Sequence, residues 1–147
     1  MTGEEIVVEA RRWIGTPYHH GASVRGVGCD CLGLVRGLYR ALVGPEPEAV
    51  PAYTADWGEI DRNEPLLAAG QRHFQQVVHG DALPGDLVLF RWRQATAAKH
   101  LALLSASDRI IHAYDGAGVV EVSLTPSWKR REAAVFRFPD RNVGDAT

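Results

Sequence analysis

Cysteine is scarce in this sequence: two residues in 147, Cys29 and Cys31, with one aspartate between them. A disulfide across that gap would close a very tight, strained ring at the mouth of a helix. A structural zinc site needs about four ligands, usually with C-x2-C spacing, and a thioredoxin-like redox site needs C-x-x-C. The C-x-C spacing argues against all three. An excess of charge of one sign is missing too: the net charge is -2, which speaks against a nucleic-acid surface or a polybasic membrane surface. No apolar run is long enough to span a membrane. The opening "MTGEEIVVEARRW" carries acids where an export signal carries lysines, and Glu9, Arg11 and Arg12 break its apolar stretch, so neither an export signal nor a membrane span is expected. Internal repeats and low-complexity tracts are absent as well. What remains is 46% apolar and 23% charged, the composition of a soluble globular protein. Its length suits one domain, residues 1–147, with a core of its own.

The two thiols sit in "GCDCLGLVRGLYRALVG", residues 28–44. Leu34, Val35, Leu38 and Leu42 recur at three- and four-residue steps, Arg36 and Arg40 lie on the other side, and Gly44-Pro45 ends the run. That spacing predicts an amphipathic helix. Asp30 is placed to cap it by accepting from the Gly33 N–H, which sets Cys31 in the first turn. Unpaired N–H groups and the positive end of the helix dipole there favour thiolate over thiol. Cys31 is therefore the candidate nucleophile, and Cys29, outside the helix, reads as a packing residue.

A nucleophilic cysteine needs a base and a group to orient that base. Of the six histidines, His100 opens the run "KHLALLS" and His112 lies inside "RIIHAYD". With "LPGDLVLF", "GVVEVS" and "AAVFRF" these form a series of short β-type runs, the pattern of an antiparallel meander. A hairpin centred near Ala106 would set His100 directly opposite His112 on one face. His19 and His20 follow "GTPY" in a loop near the cysteine, where they line a cleft or are solvated. His73 and His79 fall in a polar helical stretch and receive no catalytic role. Thr2 and Glu5 form a capping-box pattern for a first helix with Ile6, Ala10 and Trp13 on one face, stopped by Gly15. The connecting segment 44–80 begins rich in Pro and polar residues, then reads as a helix from about Asn63 to Gln76, with Pro65 in its first turn. Tyr53 and Trp57 in that segment form a cleft wall or docking surface, or cover the core.

Taken in order, "WIGTPYHHGA", "GCDCLGLV", "LPGDLVLF", "KHLALL" and "IIHAY" resemble the successive motifs of the NlpC/P60 cell-wall peptidases, across roughly residues 4 to 138. The resemblance implies a papain-like α+β fold in which the nucleophile helix packs on a five- to six-stranded antiparallel sheet, with 44–80 as the family-variable connection. It implies Cys31 as nucleophile, His100 as general base and His112 as the residue that orients it. Tyr18 would lie beside the thiol and polarise the scissile carbonyl, and Asp30 matches the family's acidic position. Neither metal nor cofactor is required. The implied reaction is hydrolysis of a peptidoglycan stem peptide, between D-Glu and a diamino acid. Leu32 stands where the commonest family form has Ser, and "CDCLGLVRG" resembles the subgroup encoded among tail genes of bacteriophages and gene transfer agents. That subgroup implies synthesis in the cytoplasm, a place in a virion tail beside hub or baseplate proteins, and action in the target cell's periplasm. Two alternatives stay open: an amidase or acyltransferase on the same fold, and a catalytically silent structural tail component.

Overall fold

A computed structural model describes residues 1–49, 64–93 and 96–142 of the chain. Helix α1 (Gly3–Arg11) opens with the expected capping box, Thr2 and Glu5 each accepting from the other's backbone N–H. A short hairpin, β1 (Ser23–Val24) and β2 (Gly28–Cys29), leads into α2 (Cys31–Leu42). Then come α3 (Pro65–His73), β3 (Gln75–Val77), β4 (Leu87–Phe90), β5 (His100–Ala106), β6 (Arg109–Tyr114) and β7 (Gly118–Ser123). A single turn, α4 (Pro126–Lys129), precedes β8 (Glu132–Arg137).

Six strands pair antiparallel in the order β3-β8-β4-β5-β6-β7. The expected meander is present from β4 to β7, but β8 returns across the sheet to pair with β4. The expected helix from Asn63 to Gln76 is shorter, because Phe74 leaves the helical path to pack edge-on between Tyr39 and Phe138, at centroid distances of 5.8 and 5.2 Å. Gln75–Val77 then pairs with the free side of β8, and this strand has no alternating pattern to announce it. Asn63, Tyr53 and Trp57 lie outside the described residues.

Both faces of the sheet are covered, so its central strands read as continuous apolar runs. Leu87, Leu89, Leu101, Leu103 and Ile111 face α1 and α2 and pack with Ile6, Ala10, Trp13, Leu34 and Leu38. Val88, Phe90, Ala102, Leu104 and Ile110 face the other way, against Leu124 and the partly buried Trp128. The strands alternate, so His100 and His112 fall on this second face, while α2 sits on the first. Cys31 and His100 line one cavity at the end of the sheet, where β5 begins and β6 finishes.

One buried ion pair locks the sheet's register. Asp86, fully buried just before β4, accepts from Arg137 Nε (2.9 Å) and its second oxygen from the same guanidinium (2.8 Å), and Arg141 pairs with it as well. This ties the start of β4 to the end of β8. Removing the carboxylate strands two guanidinium groups in a dry site, which costs about 3–5 kcal/mol when one partner of a buried pair is lost. Asp86→Ala should lose that much stability in urea unfolding at neutral pH. A loss below about 1 kcal/mol would show that the pair is dispensable.

Candidate active site

The site begins with what holds the first turn of α2. Asp30 caps it as expected: Oδ1 accepts from the Gly33 N–H at 2.7 Å. Its other oxygen accepts from the Gly21 N–H, also at 2.7 Å, so one buried carboxylate fastens both the helix start and the loop before the hairpin. That loop lies hard against the helix: a Cβ on Gly33 would come within 1.8 Å of the Ala22 carbonyl oxygen. Only glycine permits the approach. Pro17–His19 runs beside β2, with the Cys29 N–H donating to Pro17 O (3.1 Å) and the His19 N–H to Cys29 O (3.0 Å). This pairing sets Tyr18 at the cleft.

Cys31, half-buried in the first turn, donates from Sγ to the Lys99 carbonyl oxygen at 3.6 Å. It shares a cavity of about 350 Å³ with Tyr18, His20, Asp30, Lys99 and His100, and Trp92, Tyr114 and Asp115 also stand in its wall. Cys29 is fully buried and its thiol is free, pushed up to about 12 by burial and then by the neighbouring Asp30 and Cys31. It packs, as expected. Tyr18 is raised to about 12, first by burial and then by the anionic forms of Cys31 and Asp30, so its phenol stays protonated and can donate.

The two buried histidines meet, but not in the expected register. Leu103 pairs with Ile111 and Leu104 with Ile110, with an irregularity before Ala106. Continued, this register sets Ala102 opposite His112, so His100 lies two residues along, diagonal rather than opposite. A slip of two residues keeps both side chains on one face. The rings join through His100 Nε2 and His112 Nδ1 at 2.8 Å. Around them stand aromatic groups the sequence did not single out: Trp92 and Trp128, each 5.3 Å from the His100 ring, and Tyr114, stacked on His112 at 5.4 Å. The tryptophans come from a loop and a single helical turn, whose positions no strand or helix periodicity announces.

Burial decides the protonation states. It pushes the Cys31 thiol up to about 11, against the pull of backbone N–H groups at Leu101 and at Leu32 and Cys31 itself. The expected thiolate is thus not the resting form: the helix start contributes, but desolvation outweighs it. Burial likewise lowers His100 to about 3, helped by His112 and Lys99, and lowers His112 to about 4. The resting set is a neutral thiol and two neutral imidazoles. Two neutral rings sharing one hydrogen bond need one donor and one acceptor. If His100 donates from Nε2, its Nδ1 is left bare for the thiol in the cavity both residues line. Such a trio can take a proton from sulfur and return it to a leaving group.

The NlpC/P60 family model matches residues 15–137. The chain belongs to the NlpC/P60 family. It is 26% identical over 140 residues to the gamma-DL-glutamyl hydrolase of Bacillus subtilis (strain 168), covering 94% of this chain and 30% of that protein. It is 27% identical over 117 residues to the probable endopeptidase NlpC of Escherichia coli (strain K12), covering 79% of this chain and 64% of the other. The chain therefore spans less than two thirds of either relative's length. The solved NlpC/p60 domain of the peptidoglycan hydrolase SagA superposes with a TM-score of 0.66 at 25% identity, over 94% of this chain and 100% of that one. The papain-like α+β fold with a six-stranded antiparallel sheet is the fold expected of the family.

Two buried neutral histidines make stability pH-dependent. Both folded values lie below the ordinary 6.5, so the unfolded chain takes up protons first as pH falls. Their contribution is whole above about 6.5 and is lost as pH drops toward about 4 for His112 and about 3 for His100. Between pH 5 and 6, unfolding free energy in His112→Gln should fall less steeply than in the unmodified protein, by about 1 kcal/mol per pH unit. Identical slopes would mean that His112 is not buried neutral.

Proposed function

We propose that this chain is a cysteine peptidase that hydrolyses peptidoglycan stem peptides, cutting between D-Glu and a diamino acid. The observation that carries the reading is the His100–His112 hydrogen bond at the wall of the cavity that holds Cys31. Cys31 gives its proton to His100 Nδ1 as the sulfur attacks the peptide carbonyl carbon. Backbone N–H groups at the start of α2 and the Tyr18 hydroxyl stabilise the oxyanion. The tetrahedral species collapses, the C–N bond breaks, and His100 passes the proton to the departing amine. His100 then takes a proton from water, whose oxygen attacks the thioester, and the thiol is restored as the carboxylate product leaves. His112 accepts from His100 Nε2 throughout, which leaves Nδ1 to exchange the proton. Asp30 serves by building the helix start, since both its oxygens already hold backbone N–H groups. The names of a gamma-DL-glutamyl hydrolase, an endopeptidase and a peptidoglycan hydrolase among similar proteins support the substrate class and the kind of bond.

The "CDCLGLVRG" form, with Leu32 after the nucleophile, supports a setting as well: the enzyme is made in the cytoplasm, rides in a phage or gene-transfer-agent tail beside hub or baseplate proteins, and acts in the target cell's periplasm. Purified wall incubated with the protein should release stem fragments cut after D-Glu, read by mass. Cys31→Ala should lose at least about 10³-fold of that rate. Release of sugar free of L-Ala would instead identify an amidase. Particles carrying Cys31→Ser should assemble but fail to breach walls; equal performance by that variant would make the chain a structural tail component.

A further inference from the structure

A second concavity, of about 530 Å³, adjoins the cleft and is lined by Arg91, Trp92, Arg93, Arg130, Arg131 and Glu132. Two stretches build it, "RWR" at 91–93 and "WKRR" at 128–131. They are held together where the Arg91 N–H donates to Arg131 O at 2.9 Å. Most of its charges are already engaged. Arg91 pairs with Glu64 and donates to Thr96 O at 2.9 Å, Arg131 donates to Ser127, and Glu132 faces His79 at 3.4 Å. Arg93 and Arg130 are exposed and pair with no carboxylate among the described residues. Among the described residues the basin thus presents two guanidinium groups without a carboxylate partner. Trp92 is its common wall with the Cys31 cavity, and the indole ring lies 5.3 Å from the His100 ring.

The chemistry of the proposed reaction gives this basin a direction. The group that protonates the leaving amine must lie within hydrogen-bond reach of that nitrogen, so the leaving fragment departs on the His100 side of the cleft. Trp92 borders His100 and is the residue shared by the cleft and the basin, which gives a group attached to the leaving amine a route over Trp92 toward Arg93 and Arg130. A guanidinium fork matches a carboxylate in charge and geometry. We infer that the basin receives the leaving fragment and reads a carboxylate on it through Arg93 and Arg130. The inference rests on the peptidase reading above and adds a specificity site to it: stems whose leaving fragment ends in a free carboxylate are the favoured substrates.

Two synthetic stem peptides, identical except that the leaving fragment ends in a free or an amidated carboxyl group, test this. The protein should cleave the free acid with a kcat/KM about tenfold above that of the amide, the order expected for two partly exposed charge contacts. Raising the salt should shrink that ratio. In Arg93→Gln/Arg130→Gln the ratio should fall to about one, by the same reckoning. Equal rates in the unmodified protein, or a ratio that survives the double substitution, would overturn the inference. Cleavage of neither peptide would sink the peptidase reading, and binding of both to Cys31→Ala by calorimetry then decides the basin separately. Tighter binding of the free acid, lost with Arg93→Gln/Arg130→Gln, supports the basin, and equal binding overturns it. A short single-stranded DNA that binds through the same arginines and excludes the free acid would also overturn the assignment to a peptide carboxylate.

Discussion

The proposed chemistry depends on a single shared proton, the one between His100 Nε2 and His112 Nδ1. Neither ring can be charged cheaply, since both are buried among apolar and aromatic groups and both are held below the usual imidazole range. A bond between two neutral rings has only two states. With the proton on His100 Nε2, the other nitrogen of His100 can accept from a thiol. With the proton on His112 Nδ1, His100 Nε2 must accept, the remaining His100 proton moves to Nδ1, and the base is gone. The pair therefore acts as an orienting device that uses no carboxylate among the described residues, and burial gives it a wide pH range over which it stays neutral.

The fold places that pair by covering both sides of one sheet. The helices take the face of Leu89, Leu101 and Leu103, while the histidines take the opposite face with Phe90 and Ala102. The proposed nucleophile on a helix can meet the proposed base on the far face only around the sheet's end, and α2 is positioned to do so. Its first turn is fixed by Asp30 and by the close seat of Gly33 against Ala22, and the Cys31 thiol touches the carbonyl just before β5. The Asp86 cluster then holds β4 and β8 in register, and with them the strand that carries His100. Stability and geometry share the same buried polar groups.

Much of this was legible in the chain because it is local. The cap at Asp30, the helical face of Leu34, Val35 and Leu38, and the packing role of Cys29 follow from neighbours within a turn. The shared face of His100 and His112 follows from strand parity, which survives the two-residue error in the hairpin register. What escaped depends on distant partners. The return of β8 to β4 and the edge strand at Gln75–Val77 arise from pairing between segments far apart in the sequence. Trp92 and Trp128 reach His100 from irregular or very short elements. The Cys31 thiol departs from expectation for a related reason: the helix start is visible in the sequence, whereas the desolvation that raises the thiol is a property of the packed interior.

The most direct test of this account is nitrogen NMR of the protein with ¹⁵N-labelled histidine at neutral pH, which reads the proton on each ring nitrogen. The account predicts His100 neutral and protonated at Nε2, with His112 neutral and bare at Nδ1. A neutral His100 protonated at Nδ1 would contradict it, because the thiol would then face no base, and a charged ring at either position would contradict the neutral pair.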